Sequence, residues 1–351
     1  MMGELMAGER IERQARALWA EIAPGLGYDR EGRWSLMKLK SAPGQERGVL
    51  SVTTPTGDRL VLKLVVSPRD PDGFARRIAI QRQLSDRMSP IEGLFAPEVL
   101  WADAERQAVV MAYVPGPSLR RALDYADFGL GARQDLLHRS GRLARCLHGP
   151  SVTTRPFYPK RHLARVRRIA EDLRADRPLE GPLEGPLDRP LEGRGLFRPR
   201  RFLGLCAYLH RAGRRVAGQQ AAFGFVHGDL HPVNVLDAPE GLCVLDFTAL
   251  QDGFQAVDLA CFWNRGSASL DPEEGAARGY GGFAAADVTA FEEGYGRRIS
   301  ADPAFEFCFA LRLFDDWLRL GPPERAEANR PELLRLVSRA DWLQDKEQRG
   351  A

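Results

Sequence analysis

The 351 residues carry 50 Lys and Arg against 47 Asp and Glu, a net charge of +3, with 44% hydrophobic and 28% charged residues. That is ordinary globular material, long enough to bury a full core and to divide into two lobes or domains. So small a net charge gives no argument for a nucleic-acid partner, and none is expected. The five cysteines, at 146, 206, 243, 261 and 308, are an odd number without a CxxC pair. They read as buried free thiols in a reducing compartment, not as a disulfide or zinc framework. The opening MMGELMAGERIERQARALW is charged throughout and lacks the apolar core of a signal peptide. No run approaches the roughly eighteen apolar residues of a membrane span. Together these features predict a cytoplasmic protein.

Apolar positions Ile11, Ala15, Leu18, Trp19 and Ile22 form a helical stripe, ended by Gly25 and Gly27. Residues 1–32 are therefore expected as an N-terminal helical extension. From Trp34 the pattern turns to strands over 34–39, 49–52 and 59–66, an antiparallel meander whose second turn is Pro55-Thr-Gly57. Lys63 lies in the third of these, among Val61, Leu62, Leu64 and Val65. A lysine in such a run ordinarily faces outward on a half-exposed sheet. A helix is predicted over Phe74 to Met88, and strands over 99–101 and 108–114 complete a lobe spanning 33–114. Pro115-Gly-Pro117 then turns the chain out of the sheet.

Residues 115–351 read as mainly helical. Ser118 is placed to cap a helix from Leu119 to Asp124. Leu136, Leu137, Leu143, Ala144 and Leu147 mark another over 132–148, with His148 read as a packing residue at its end. Residues 155–215 are strongly basic: sixteen Lys or Arg stand against seven Asp or Glu, nine net positive charges. Within them PLEG occurs at 178, 182 and 190, and PLDR at 186. Proline every fourth residue forbids a stable helix, so about 176–196 is expected as an extended insertion. It reads as a solvated linker or as a basic flap for an anionic substrate or partner. A helix over 202–221 should lead into the next stretch.

The most informative stretch is VHGDLHPVNVLDAPEGLCVLDF, from Val226 to Phe247. Asn234 follows Asp229 by five residues, and Asp246 lies twelve beyond Asn234. Residues 233–236 and 242–245 read as two short strands joined by a turn at 237–241. A carboxylate, a carboxamide and a second carboxylate on a small hairpin are what phosphoryl transfer needs. The first can orient or deprotonate a hydroxyl, and the other two can hold Mg2+ against a nucleotide's phosphates. The plainer alternative is a surface hairpin whose Asp and Asn serve turns.

The spacing H-x-D-x-x-x-x-N, followed by a strand ending in Asp-Phe, matches protein-kinase catalytic and metal loops. HGDLHPVNVL and VLDFTALQDGFQAVDLACF resemble more closely the aminoglycoside phosphotransferase family of small-molecule kinases. VVMAYVPGPSL resembles that family's hinge, and LARCLH its helix before the catalytic loop. The resemblance spans roughly residues 33–320. It implies an α+β, two-lobed protein-kinase-like fold, with an N-lobe of antiparallel sheet plus helix and a mainly helical C-lobe over 115–351. It also implies an ATP- and Mg2+-dependent transfer to a hydroxyl of a small molecule, an aminoglycoside, choline-like, sugar or amino-alcohol acceptor.

The resemblance assigns roles as well. Asp229 would take or orient the acceptor hydroxyl, and His227 would support the loop. Asn234 and Asp246 would ligate Mg2+, and Lys63 would contact the α and β phosphates. Backbone groups of Met111, Tyr113 and Val114 would hold the adenine, the loop 41–48 would cover the phosphates, and Asp258 would brace the catalytic loop. One departure stands out. The family's helix glutamate that pairs with the strand lysine is missing from FARRIAIQRQL, with Arg77 or Ile78 expected in its place. Glu292, Glu293, Asp315 and Asp316 read as solvated helix faces, although aminoglycoside-modifying members use acids in that region. Two other readings stay open: a kinase-fold binding or regulatory protein without turnover, and a kinase of a macromolecular acceptor, for which the basic insertion is the motive.

Overall fold

In the computed structural model, which describes residues 2–42, 45–149, 152–177, 196–247, 251–265, 270–271 and 275–349, the chain divides into two units. One comprises Met1–Gly116 with Leu236–Thr248, the other Pro117–Val235 with Ala249–Ala351.

The first unit runs α1 (Met2–Ile22), β1 (Arg33–Ala42), β2 (Gln45–Thr53), β3 (Arg59–Val65), α2 (Pro71–Met88), β4 (Leu94–Phe95), β5 (Val99–Asp103) and β6 (Ala108–Ala112). Five strands pair antiparallel in the order β1-β2-β3-β6-β5. Side chains of β3 alternate between its faces, as a strand's must. Leu60, Leu62 and Leu64 pack into a core with Ile11, Ala15 and Trp19, so α1 is a cover for one face of the sheet. Val61 packs on the other face with Ile78, Val109 and Met111, and alternation places Lys63 on that same side. Pro71 opens α2, where its missing N–H is no loss, and the Asp70 carboxylate accepts the Gly73 N–H at 2.8 Å as the cap. β1 and β2 continue to Ala42 and from Gln45, so most of the anticipated loop 41–48 is strand, and 43–44 lie outside the described residues.

The second unit contains α3 (Leu119–Asp127), α4 (Arg133–His148), β7 (Thr153–Pro156), α5 (Lys160–Arg174), α6 (Pro199–Val216) and β8 (Gln220–Val226). Next come β9 (Val235–Ala238) and β10 (Gly241–Val244), the expected hairpin. In the first unit β10 pairs parallel with β4, giving a small sheet in the order β4-β10-β9. The second unit resumes with β11 (Gln251–Phe254), α7 (Ala256–Arg265), α8 (Ala285–Tyr295), α9 (Phe305–Leu320), α10 (Pro323–Ala326) and α11 (Arg330–Arg349). Ser118 accepts the Arg121 N–H at 3.4 Å, the expected cap of α3. Its core is aromatic, with Phe202, Trp263, Phe291, Phe305 and Trp317 fully buried.

The sequence misjudged the segment before the catalytic stretch. The helix expected to reach residue 221 ends at Val216, and Gln220–Val226 is a strand with alternating burial, paired antiparallel with β7 and β11. Its charge also hid α5, whose Val166, Ile169 and Ala170 are buried at helical spacing beneath the arginines. Most of the expected insertion at about 176–196, with all of its repeats, lies at 178–195, outside the described residues. Among the described residues no helix is long and apolar enough to cross a membrane.

Candidate active site

In the first unit a small hollow of about 110 Å3 is lined by Lys63, Gln81, Met111, Tyr113, Val114 and Asp246 among others. All four nucleotide-binding positions expected from the sequence therefore share one pocket with Asp246. Desolvation pulls the half-buried Lys63 below the ordinary lysine pKa, and the Asp246 carboxylate works against that shift. An anion in the pocket would favour the charged ammonium.

Asp246 adopts a left-handed backbone conformation, φ +62°, which costs a non-glycine residue energy and recurs at functional positions. Gly116, where the chain leaves the hinge, has φ +129°, and a Cβ there would stand 2.3 Å from the Asp237 carbonyl oxygen. Only glycine fits both demands. The Tyr113 N–H donates to the Arg59 carbonyl at 3.2 Å, and its ring lies 3.9 Å beneath the Arg59 guanidinium. Among the described residues the Val114 N–H has no such main-chain acceptor.

The helix residue facing this pocket differs from expectation. Arg77 reaches back to Asp70 at 3.5 Å, and Ile78 packs in the apolar cluster. The pocket wall instead takes Gln81, one helical turn further on, buried with Nε2 donating to the Pro97 carbonyl at 3.3 Å and to Met111 Sδ at 3.4 Å. A carboxamide there shapes the wall without neutralising Lys63.

In the second unit the catalytic loop hangs from one carboxylate. Asp258 on α7 is fully buried and accepts the main-chain N–H groups of His227 at 2.6 Å and Gly228 at 2.7 Å. Gly228 takes φ +79°, the left-handed turn that lets both N–H groups point one way. His148 is more than a packing residue: Nε2 lies 3.2 Å from Asp258 and Nδ1 lies 2.9 Å from the Tyr295 hydroxyl. Buried charge needs such partners, and a helix-end histidine meets that need. His227 is also fully buried, its Nδ1 accepting the Asp229 N–H at 3.3 Å.

On this braced loop Asn234 Nδ2 donates to the Asp229 main-chain oxygen at 3.0 Å and to its carboxylate at 3.3 Å. The sequence-predicted trio His227, Asp229 and Asn234 is thus one hydrogen-bonded group. His231 joins it, unassigned from sequence. Its Nδ1 accepts the Val233 N–H at 3.2 Å, so the proton sits on Nε2, 3.5 Å from the Asp229 carboxylate. Arg265 pairs directly with Asp229, and Cys261 Sγ lies 3.8 Å from the same oxygen. Asp258, Cys261 and Arg265 follow at three- and four-residue intervals, one face of α7 turned to the loop. Burial pushes the Asp229 pKa up. The His231 hydrogen bond and the charges of Arg265 and Arg312 overcome that and hold it well below the usual carboxylate range.

The acids on the later helices are spent within the protein. Asp316 is buried and accepts from Arg312 Nε and Arg319 Nη2, both at 3.1 Å, and Asp315 pairs with Arg165. Glu292 accepts the Ile299 N–H at 2.9 Å. Asp315, Asp316 and Glu292 are therefore not solvated faces; their partners lie at i−4 and i+3, or far away in sequence. Glu293 is exposed, as expected.

The phosphotransferase enzyme family (APH) matches residues 41–295. A search of the curated proteins finds no match. Among solved structures, a choline/ethanolamine kinase family protein from Mesorhizobium loti is 16% identical with a TM-score of 0.55, over 95% of this chain and 94% of that one. A macrolide 2'-phosphotransferase from Brachybacterium faecium is 17% identical with a TM-score of 0.46, over 90% and 97%. The aminoglycoside-3'-phosphotransferase of type VIII is 18% identical with a TM-score of 0.45, over 84% and 99%. The first of these likenesses shows the fold as the kinase-like α+β arrangement expected. With the family's match covering the hinge, the catalytic loop and Asp246, the chain belongs to the phosphotransferase enzyme family, enzymes that transfer a phosphoryl group to a hydroxyl.

Proposed function

We propose that this chain moves the γ-phosphoryl group of ATP to a hydroxyl of a small molecule, in the cytoplasm. Residues 33–114 serve the nucleotide and 115–351 the chemistry and the acceptor. Asp229 accepts the hydroxyl proton as the acceptor oxygen bonds to the γ phosphorus and the bond from that phosphorus to the ADP oxygen breaks. Lys63 meets the α and β phosphates, and the Met111 to Val114 backbone reads the adenine. His227 holds the loop.

Asp246 and Asn234 are the proposed Mg2+ ligands, each on its own chemistry. Asp246 brings a carboxylate, and Asn234 commits Nδ2 to Asp229, which keeps Oδ1 as its donor. Among the described residues no group of three or more His, Cys, Asp or Glu is placed to hold a metal alone. One carboxylate and one carboxamide oxygen fit Mg2+, because it commonly takes one or two protein carboxylates and fills its shell with water and phosphate. When bound it would neutralise phosphate charge.

The observation that carries this reading is the braced loop, in which Asp258 fixes the backbone that presents Asp229 beside Asn234. ATP binding by calorimetry, with and without Mg2+, on the wild type and Asp246→Ala tests the nucleotide half. Metal-dependent binding lost in the variant is expected; no binding by the wild type overturns the reading. Asp229→Asn should lower acceptor-dependent ADP formation by about 10²–10⁴ while ATP still binds, and substantial turnover removes Asp229 from the base role.

A further inference from the structure

We propose that the acceptor is a hydroxylated anion, whose carboxylate or phosphate is held by Arg265 and Arg312 beside Asp229. This rests on the phosphotransferase reading above and names its substrate class.

Arg265 pairs with Asp229, and the charge of Arg312 also acts on it; Arg312 and Arg319 pair with Asp316, and Arg165 pairs with Asp315. Each of these three carboxylates is already bonded to an arginine, so none of the three is free for a cationic acceptor. The guanidiniums are in the opposite position. Among the described residues Arg312 bonds through Nε alone, to Asp316, with 22% of its side chain exposed. Among them Arg265 bonds through Nη1 alone, to Asp229, with 26% exposed. Among the described residues, Nε and Nη1 of Arg165 and Nε of Arg319 are buried with no hydrogen-bond acceptor at all. Buried donors without acceptors are costly, so this part of the second unit has more guanidinium donors than carboxylates to meet them.

The two arginines converge from different helices, Arg265 from the last turn of α7 and Arg312 from α9. Cys261, one turn before Arg265 on α7, feels both charges. A guanidinium presents paired N–H donors in the plane that a carboxylate or phosphate matches bidentately. A cation of the aminoglycoside or choline kind would meet like charge instead, a penalty that selects partners.

The Arg265–Asp229 pair gives the anion a second task. Arg265 occupies Oδ1 of Asp229, one of the two oxygens that could take a hydroxyl proton. An acceptor anion competes for that guanidinium and frees the carboxylate for the hydroxyl, so the charged group and the reacting hydroxyl sit on the same small molecule.

The test is calorimetric binding to the full chain in ATP's absence and presence, with probes matched in shape but not in charge. D-glycerate, sn-glycerol 3-phosphate, glycerol and choline form one set, and glucuronate, glucose and glucosamine another. At least one anion should bind about tenfold or more tighter than its neutral counterpart, with the cations weaker still. Glycerate against glycerol 3-phosphate separates a carboxylate site from a phosphate site. Arg312→Gln should weaken that anion about tenfold or more, and Arg312→Lys should recover part of the loss. If Arg312→Gln does not fold, Arg265→Gln at the end of α7 takes its place. A cation binding more tightly than its matched anion, no anion bound at all, or a folded variant with unchanged affinity each overturns the proposal. Anion binding without ATP binding would instead sink the phosphotransferase reading and leave the anion site standing.

Discussion

His148 Nε2 stands 3.2 Å from the Asp258 oxygen that also accepts the His227 N–H. One buried carboxylate thus ties the end of α4 to the catalytic loop, and Gln255 closes the ring by donating to the His148 carbonyl at 3.1 Å. Asp258→Asn would turn one acceptor oxygen into a donor facing donors. The expected loss is about 3–5 kcal/mol, the size seen when a buried charged partner is removed. Chemical denaturation followed by fluorescence measures it, and turnover should fall with it. Wild-type stability in a folded Asp258→Asn variant would show that the loop stands without its brace.

Lys63 makes the opposite prediction. Burial holds its pKa below the ordinary value, so the charged form opposes folding. The unfolded chain then binds more protons between the two pKa values, and stability rises with pH across that interval, up to the unfolded value of about 10.4. Lys63→Met, similar in length and uncharged, should leave the nucleotide-free protein as stable or more stable by about 1 kcal/mol and remove that alkaline rise. The same variant should weaken ATP binding about tenfold or more. Melting curves from pH 7 to 10 with and without ATP decide it. A variant that melts lower at every pH while binding ATP normally would return Lys63 to a merely structural role.

The sequence made the fold legible wherever local rules act alone. The apolar run marked β3, the Ser118 cap fixed α3, and the loop from His227 to Asn234 could be read as a unit because its contacts span only a few residues. What was hidden depends on distant pairings. Arg265 is 36 residues from Asp229, and Arg312 sits on another helix entirely. The spacing of Asp258, Cys261 and Arg265 was visible as a helix face, but nothing local says that the face meets Asp229. Charge misled twice: α5 was obscured by its arginines, and Asp315 and Asp316 read as solvated because their partners were not in view. Gln81 escaped because only an acid was being sought on α2.

Glu306 joins three helices of the second unit. It accepts from the Tyr208 hydroxyl of α6 at 2.6 Å, from Arg215 at 3.1 Å and from Lys346 of α11 at 2.5 Å. Burial raises its pKa, but the bonds from Lys346 and Tyr208 outweigh that and leave it below the usual value. A depressed carboxylate lends stability above its unfolded pKa of about 4.3 and loses it as pH falls through the lower folded value. Acid unfolding monitored by circular dichroism should therefore begin at higher pH in the wild type than local exposure alone implies, and Glu306→Gln should lower stability at pH 7 while flattening its decline below pH 5. Parallel pH profiles in the two proteins would remove Glu306 from acid sensitivity.

Gln81 explains why α2 offers no acid to the pocket. Its Nε2 donates to the Pro97 carbonyl and to Met111 Sδ, so the position needs a donor where a glutamate has none. Gln81→Glu would set a carboxylate against a buried carbonyl oxygen, a loss of about 1–3 kcal/mol, offset in part by attraction to Lys63 across the same pocket. Urea denaturation should show net destabilisation without ATP, and saturating ATP should not restore the wild-type midpoint, because the unmet contact is with Pro97 and not with the nucleotide. If Gln81→Glu is instead as stable as the wild type and binds ATP more tightly, the carboxylate has found Lys63, and the wall contacts to Pro97 and Met111 do not determine the residue at this position.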